Sequence, residues 1–410
     1  MVWPVCFQGV SPRASAADVY WSGSTGSYGT PANWSTGSVP TVSDVAIINN
    51  GGTSLLTVSG STTGAIQRVG QDGVGFLTVD GGGTFTTSGS TWIGLTQAGS
   101  ATSGVGTLTV TGSSTFRRRG GKTIIGGGAG NSSGTLSVGL GSSFLHETTT
   151  YVDTFIVGDL TQSGSHSGTL NVNGGTVNTG AAEFWAGNKG YGSGAGSGVV
   201  NVSNGGSVTT GNWTVFGRQN GAGTLNISGG SFTKGGDGDF VLGDSGTSRG
   251  TVVQTGGDVR VNTGLVRIGA WGGSGNYTLS GGTFTNASSN GVEIGGGGGS
   301  NSSVSVSGGL WDVQTSYLDV GSWGGGTGRM TISGSGEVRS PTTYVGHWAA
   351  NTTGILNLEA GGVLKTGLLT GGETQASSTV NIDGGRMVAT ASRTDFVTNL
   401  DAVNLRAGGA

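Results

Sequence analysis

The chain has 410 residues, of which 91 are glycine and only 10 % are charged, with a formal net charge of −3. Collagen is excluded because stretches such as Thr107-Leu108-Thr109-Val110-Thr111 break the Gly-every-third rule, and disorder is excluded because 33 % of the residues are hydrophobic and the charge is small. No basic field is present to hold nucleic acid, and no apolar run approaches the ~18 residues of a spanning helix, so neither a nucleic-acid partner nor a transmembrane segment is expected.

In chain order, residues 1–17 read as a partial export signal. An apolar stretch from Val2 to Val10 precedes Ala14-Ser15-Ala16, a small-x-small cleavage pattern, and Cys6, the single cysteine, lies inside the segment that would be removed. Residues 18–74, framed by Trp21, Trp34, Pro40 and Asp44, are less regularly spaced and read as an N-terminal cap merging into a first coil at Val69-Gly70.

From Gly75 one unit recurs about a dozen times at roughly 24- to 34-residue spacings. It opens with Gly-Thr-apolar-x-apolar, as in Gly106-Thr107-Leu108, Gly134-Thr135-Leu136, Gly168-Thr169-Leu170 and Gly223-Thr224-Leu225. A Gly-rich turn and a third apolar residue follow, such as Phe85, Phe116, Phe144 or Phe232. An apolar-Gly pair closes the unit, as in Ile93-Gly94, Ile125-Gly126, Ile268-Gly269 and Val320-Gly321. Alternation of period two means short strands with one face inside. About three such strands per unit are too few to bury a core alone, so the units must stack. The fold expected is all-β: a single-stranded, right-handed parallel β-helix (β-solenoid) over residues 75–410, handed as parallel crossovers nearly always are. Apolar residues still recur between Val397 and Ala410, so the chain is expected to continue beyond them.

The Trp21, Asn33-Trp34, Pro40, Asp44 opening, followed by Gly-Thr-Leu-x-Val-x-Gly-Gly and Ile-Gly units, resembles Gly-rich bacterial surface proteins with autotransporter-passenger-like β-helix repeats, some of whose relatives end in a PEP-CTERM sorting signal. The resemblance covers nearly the whole chain from Asp18. It implies a β-helix that is secreted or displayed on the bacterial surface, and it is specific for architecture, not for activity.

Residues that could carry chemistry are few. Asp237, Asp239 and Asp244, with Arg249 following, are weak candidates for a calcium ion, the one cofactor entertained. No catalytic group is assigned. His146, His166 and His347 form no recognisable triad or metal spacing, and His146 is expected on the surface. The basic run Arg117-Arg118-Arg119 with Lys122 is expected at a solvated coil edge, with contact to an acidic glycan as the alternative. Trp271, Trp323 and Trp348 each stand two residues after a closing glycine and suit stacking on sugars from one side of the rod. Gln254, alone in an apolar column, requires an internal hydrogen-bond partner.

The functional expectation is a secreted or cell-surface structural or adhesive rod displaying variable loops, with glycans or other surface material as partners. The enzymatic alternative, a polysaccharide lyase or hydrolase of the pectin-lyase-like β-helix type using the Asp237, Asp239, Asp244 region, calls for acids and bases at matching positions of adjacent coils, and no such set is legible in the sequence. A fibre subunit associating end to end is the third reading.

Overall fold

The computed structural model describes residues 16–160, 164–189, 194–372 and 375–409. The expected signal segment, with Cys6, lies outside them apart from Ala16 and Ala17.

The alternating apolar columns produce a β-solenoid of about 14 turns, 58 % strand, and no α-helix occurs among the described residues. Each strand pairs in parallel with its counterparts one turn earlier and one turn later. Ser132–Val138, for example, lies between Gly104–Val110 and Ser165–Asn173, with Leu136 opposite both Leu108 and Leu170. Three sheets result. The first carries the Gly-Thr-Leu strands; the second the Phe strands, such as Thr115–Arg119 beside Ser143–Glu147; the third the Ile-Gly strands, such as Thr123–Gly128 beside Phe155–Leu160. At about 4.8 Å per turn the rod is roughly 65 Å long.

The inward columns are fully buried, as Leu108, Phe116 and Ile125 illustrate. Aromatic rings stack along them, Phe116 on Phe144 at 5.1 Å and Phe155 on Phe184 at 5.5 Å. Two glycines fix the bend between the third and first sheets. Gly126 has φ +71°, and a Cβ at Gly134 would lie 2.3 Å from the Gly126 nitrogen, so both positions must lack a side chain for the backbones to touch.

Region 18–74 also builds rungs. Asp18–Tyr20 pairs with Val45–Ile47, which pairs with Ile66–Arg68. Trp21, Tyr28 and Trp34 are buried there, with Trp34 edge-on to both Trp21 (5.1 Å) and Tyr28 (4.8 Å). The aromatic group fills the start of the rod and leads to Phe85, 6.2 Å from Tyr28.

Two expectations about polar residues are corrected. Arg118 and His146 are buried, not at the surface. They follow Phe116 and Phe144 at the two-residue period and so point inward in register with each other. Arg118 donates to the carbonyls of Gly89 and Gly120 and to His146 Nε2, while His146 Nδ1 lies 3.0 Å from Thr123 Oγ1. Burial and the neighbouring guanidinium push His146 down to about 3, so it is neutral. Outside, Arg117 and Arg119 each lie 3.1 Å from Glu147. Gln254 finds its partners: its amide donates to the Gly257 and Thr283 carbonyls (2.9 and 3.0 Å) and accepts from the Tyr277 hydroxyl (2.5 Å).

Candidate functional site

In the third sheet, the residue just before each closing apolar-Gly pair lies between two inward side chains and must face out. Along successive coils this outward column reads Ile156, Trp185, Val215, Val241, Arg267, Glu293, Asp319, Tyr344. An outward column on a rod is expected to be wet. Here Val215, Val241 and Asp319 are 0 % exposed and Glu293 6 %. Side chains from the loops on either side cover it. Trp185 and Trp213 pack over a small apolar cluster of Val215, Val241 and Ala270, separate from the main core, and Trp271, Trp323 and His347 extend the cover along the rod.

The cover contains one arrangement twice. The Arg218 guanidinium lies 3.8 Å from the Trp185 ring and 5.1 Å from that of Trp213, between Glu183 (3.9 Å) and Asp244 (3.7 Å). The Arg267 guanidinium lies 5.1 and 5.8 Å from Trp271 and Trp323 and donates to Asp239 (3.0 Å) and Glu293 (2.8 Å). In both, an indole N–H donates 3.0 Å to one of the carboxylates, Trp185 to Glu183 and Trp323 to Glu293. Each arginine is thus held by carboxylates from the coils on either side and by two aromatic faces. Trp213 and Trp271 meet at 6.4 Å and link the two arrangements.

The far end of the strip is a histidine and carboxylate pair. His347 Nδ1 lies 3.4 Å from Asp319 Oδ2, and the imidazole stacks on Tyr344 at 3.9 Å and touches Trp348 at 4.4 Å. Neither Asp319 oxygen reaches a well-formed hydrogen bond. Burial raises the carboxyls of Asp159, Glu183, Asp244, Glu293 and Asp319 above the ordinary range; Arg218, Arg267 and His347 oppose this without cancelling it. Tyr317, edge-on to Tyr344, is pushed up to about 12, chiefly by burial.

The calcium candidates are not gathered on one centre. Asp237 is exposed, Asp239 accepts from Arg267 and from the Leu265 backbone N–H (2.9 Å), and Asp244 faces Arg218. Arg249 belongs to the first sheet, opposite Ala222 and Ser274. Among the described residues no three His, Cys, Asp or Glu side chains form a group suited to a metal ion.

The tryptophans expected on one side of the rod do come together in part. The Trp271 and Trp323 rings meet at 6.3 Å although their loops are two coils apart. The intervening loop makes this contact possible, because a Cβ at Gly297 would lie 2.8 Å from the Trp323 ring. Trp348 stands further along, against His347. Trp271 and Trp348 are 42 % and 58 % exposed and have left-handed backbones, φ +46° and +70°.

Arg218, Arg267, Trp185, Trp213, Glu293, Asp319 and His347 are not singled out by the sequence reasoning. The signal that finds them is the pair of columns flanking each closing pair: the residue before it gives Arg267, Glu293 and Asp319, and the residue after its glycine gives Arg218, Asp244 and His347. No protein-family model, curated protein or solved structure matches the chain.

Proposed function

We propose that the protein is a secreted or cell-surface solenoid scaffold that binds glycan along the outer face of its third sheet. The observation that carries this reading is the placement of Trp271 and Trp348, exposed indoles on left-handed backbone beside buried charged groups. A bulky residue in that conformation costs about 1–2 kcal/mol relative to glycine. Glycine occupies the equivalent position of the intervening loop, Gly297 at φ +77°. The indoles are retained against that cost, and aromatic rings beside hydrogen-bonding acids are what sugar rings stack on. Surface location follows from the resemblance of the repeat, not from the geometry.

The test is calorimetric titration with oligosaccharides, comparing the native chain with Trp271→Ala/Trp348→Ala. The double variant loses binding at least tenfold while circular dichroism and cooperative melting show it still folded, since Trp271 and Trp348 are 42 % and 58 % exposed and lie outside the main core. Binding unchanged in the variant removes the reading.

The enzymatic reading has one observation of its own. Arg267, Glu293 and Asp319 stand in register on three consecutive coils, with His347 against Asp319. Charged groups at matching positions of adjacent coils are what favours this reading. Following polymer size by gel filtration during incubation separates the two: a binding scaffold leaves the polymer at its original length.

A further inference from the structure

We infer that the ligand of this strip is a cationic glycan, a polymer of amino sugars bearing free ammonium groups, lying along the rod axis across successive coils. The inference rests on the glycan-binding reading above and names its substrate class.

Charge on the strip decides the class. Six carboxylates, Asp159, Glu183, Asp239, Asp244, Glu293 and Asp319, share the face with two guanidinium groups, Arg218 and Arg267, and with His347. Both arginines are already clamped between acids of neighbouring coils, so neither is free to receive an anionic sugar. Of the other basic cluster, Arg117 to Arg119 are engaged by Glu147 and by the interior, and exposed Lys122 adds one positive charge near Asp159 at the start of the strip, which leaves the acids in excess. A uronate or sulfated polymer laid here meets a net negative, partly desolvated surface and is repelled.

A second observation points the same way. Asp319 is 0 % exposed, its partner is the His347 imidazole, Nδ1 3.4 Å from Oδ2, and it stands in the outward column next to Glu293, whose own cation, Arg267, is shared with Asp239. Along the strip the acids outnumber the cations that face them. Burial raises the carboxyls along the strip, and the positive charge on the face does not offset it. An ammonium group beside the partly exposed Glu183 and Asp239 supplies that charge, and the neighbouring indole faces attract it as they attract the guanidinium groups. The exposed indoles Trp271 and Trp348 stand three coils apart, roughly 14 Å at about 4.8 Å per coil, so a linear polymer running along the rod reaches both and passes the acids between them.

The experiment is isothermal titration of the full chain at pH 6 with three oligosaccharides of equal length: fully deacetylated glucosamine oligomers, their N-acetylated counterparts, and oligogalacturonate. The deacetylated oligomer is expected to bind at least tenfold more tightly than the acetylated one. Protons are expected to be released on binding, seen as a dependence of the heat on buffer ionisation enthalpy, because a bound cation lowers the raised carboxyls. Oligogalacturonate is expected not to bind. The Trp271→Ala/Trp348→Ala variant, which leaves the net charge untouched, must lose the binding, and Asp239→Asn must weaken it.

Equal or tighter binding of the acetylated or anionic oligomer overturns the cationic class while leaving glycan binding standing. Binding of the deacetylated oligomer that survives the tryptophan substitutions is adsorption to the acidic chain as a whole and also overturns the inference. No binding by any oligomer removes both this inference and the reading beneath it.

Discussion

The outer faces of the first and third sheets are built on the same rungs, yet they treat polar groups in opposite ways. On the first sheet, asparagine amides bond to one another along the rod: Asn226 to Asn201 at 2.9 Å, Asn201 to Asn171 at 2.8 Å, and again Asn404 to Asn381 and Asn381 to Asn357 at 2.9 and 2.8 Å. These groups are neutral and matched one to the next, and all but the buried Asn381 are at least partly exposed. On the third sheet the equivalent column passes from buried valines, Val215 and Val241, to Arg267, Glu293 and Asp319, and the two acids are buried with their carboxyls shifted against ionisation. A face that satisfies itself needs no partner. Acids held buried against their ionisation are a feature on which the proposed binding role rests.

The comparison can be broken by substitution. The largest effect belongs to Arg267→Ala, which leaves Asp239 and Glu293 without their cation and is expected to cost about 3–5 kcal/mol by denaturant unfolding; a cost near zero would mean that the clamp is only a surface ion pair. Next is the interior. His146 falls to about 3 in the folded chain against 6.5 when free. The unfolded chain therefore holds more protons between these values, and the stability His146 brings is present above pH 6.5 and lost as pH falls through it. The expected slope is about 1.4 kcal/mol per pH unit below 6.5, and comparing the pH dependence of melting with that of His146→Gln isolates it.

Asp319→Asn sharpens the contrast in the other direction. Its raised folded pKa means that stability is present while the carboxyl is protonated and is lost as pH rises through that value. At pH 7 the neutral amide is therefore expected to stabilise the chain. At pH 3 to 4 the two proteins should melt alike, and a destabilised variant at pH 7 would show that the His347 pair outweighs burial. The smallest effect is expected on the first sheet, where Asn201→Ala removes two half-exposed hydrogen bonds and costs about 0.5–1.5 kcal/mol.

How much of this was legible follows from the same geometry. The inward columns were plain because Leu, Val, Ile and Phe recur at period two and every coil repeats them. Arg118 and His146 obey that period, anchored by Phe116 and Phe144, and their inward direction was available from it. What the sequence did not show is the demand inside: carbonyls at the bend after the second sheet need donors, met by Arg118 at Gly89 and Gly120 and by Lys234 at Gly236 and Gly238. The strip was harder. Arg267, Glu293 and Asp319 read as solvated outward residues, and only the folded loops bring Trp271 and Trp323 over them. Trp271, Trp323 and Trp348 were visible from their shared distance to a closing glycine, whereas Trp185 and Trp213 lie on or before the strand and follow no such rule.

The most direct test of the claim that the third sheet's outer face is the binding surface is hydroxyl-radical footprinting of the full chain with and without saturating oligosaccharide. The account predicts protection of Trp271 and Trp348 with the Thr251, Asn276 and Ser303 side of the first sheet unchanged. Protection on the first sheet, with both tryptophans as reactive as before, would contradict it.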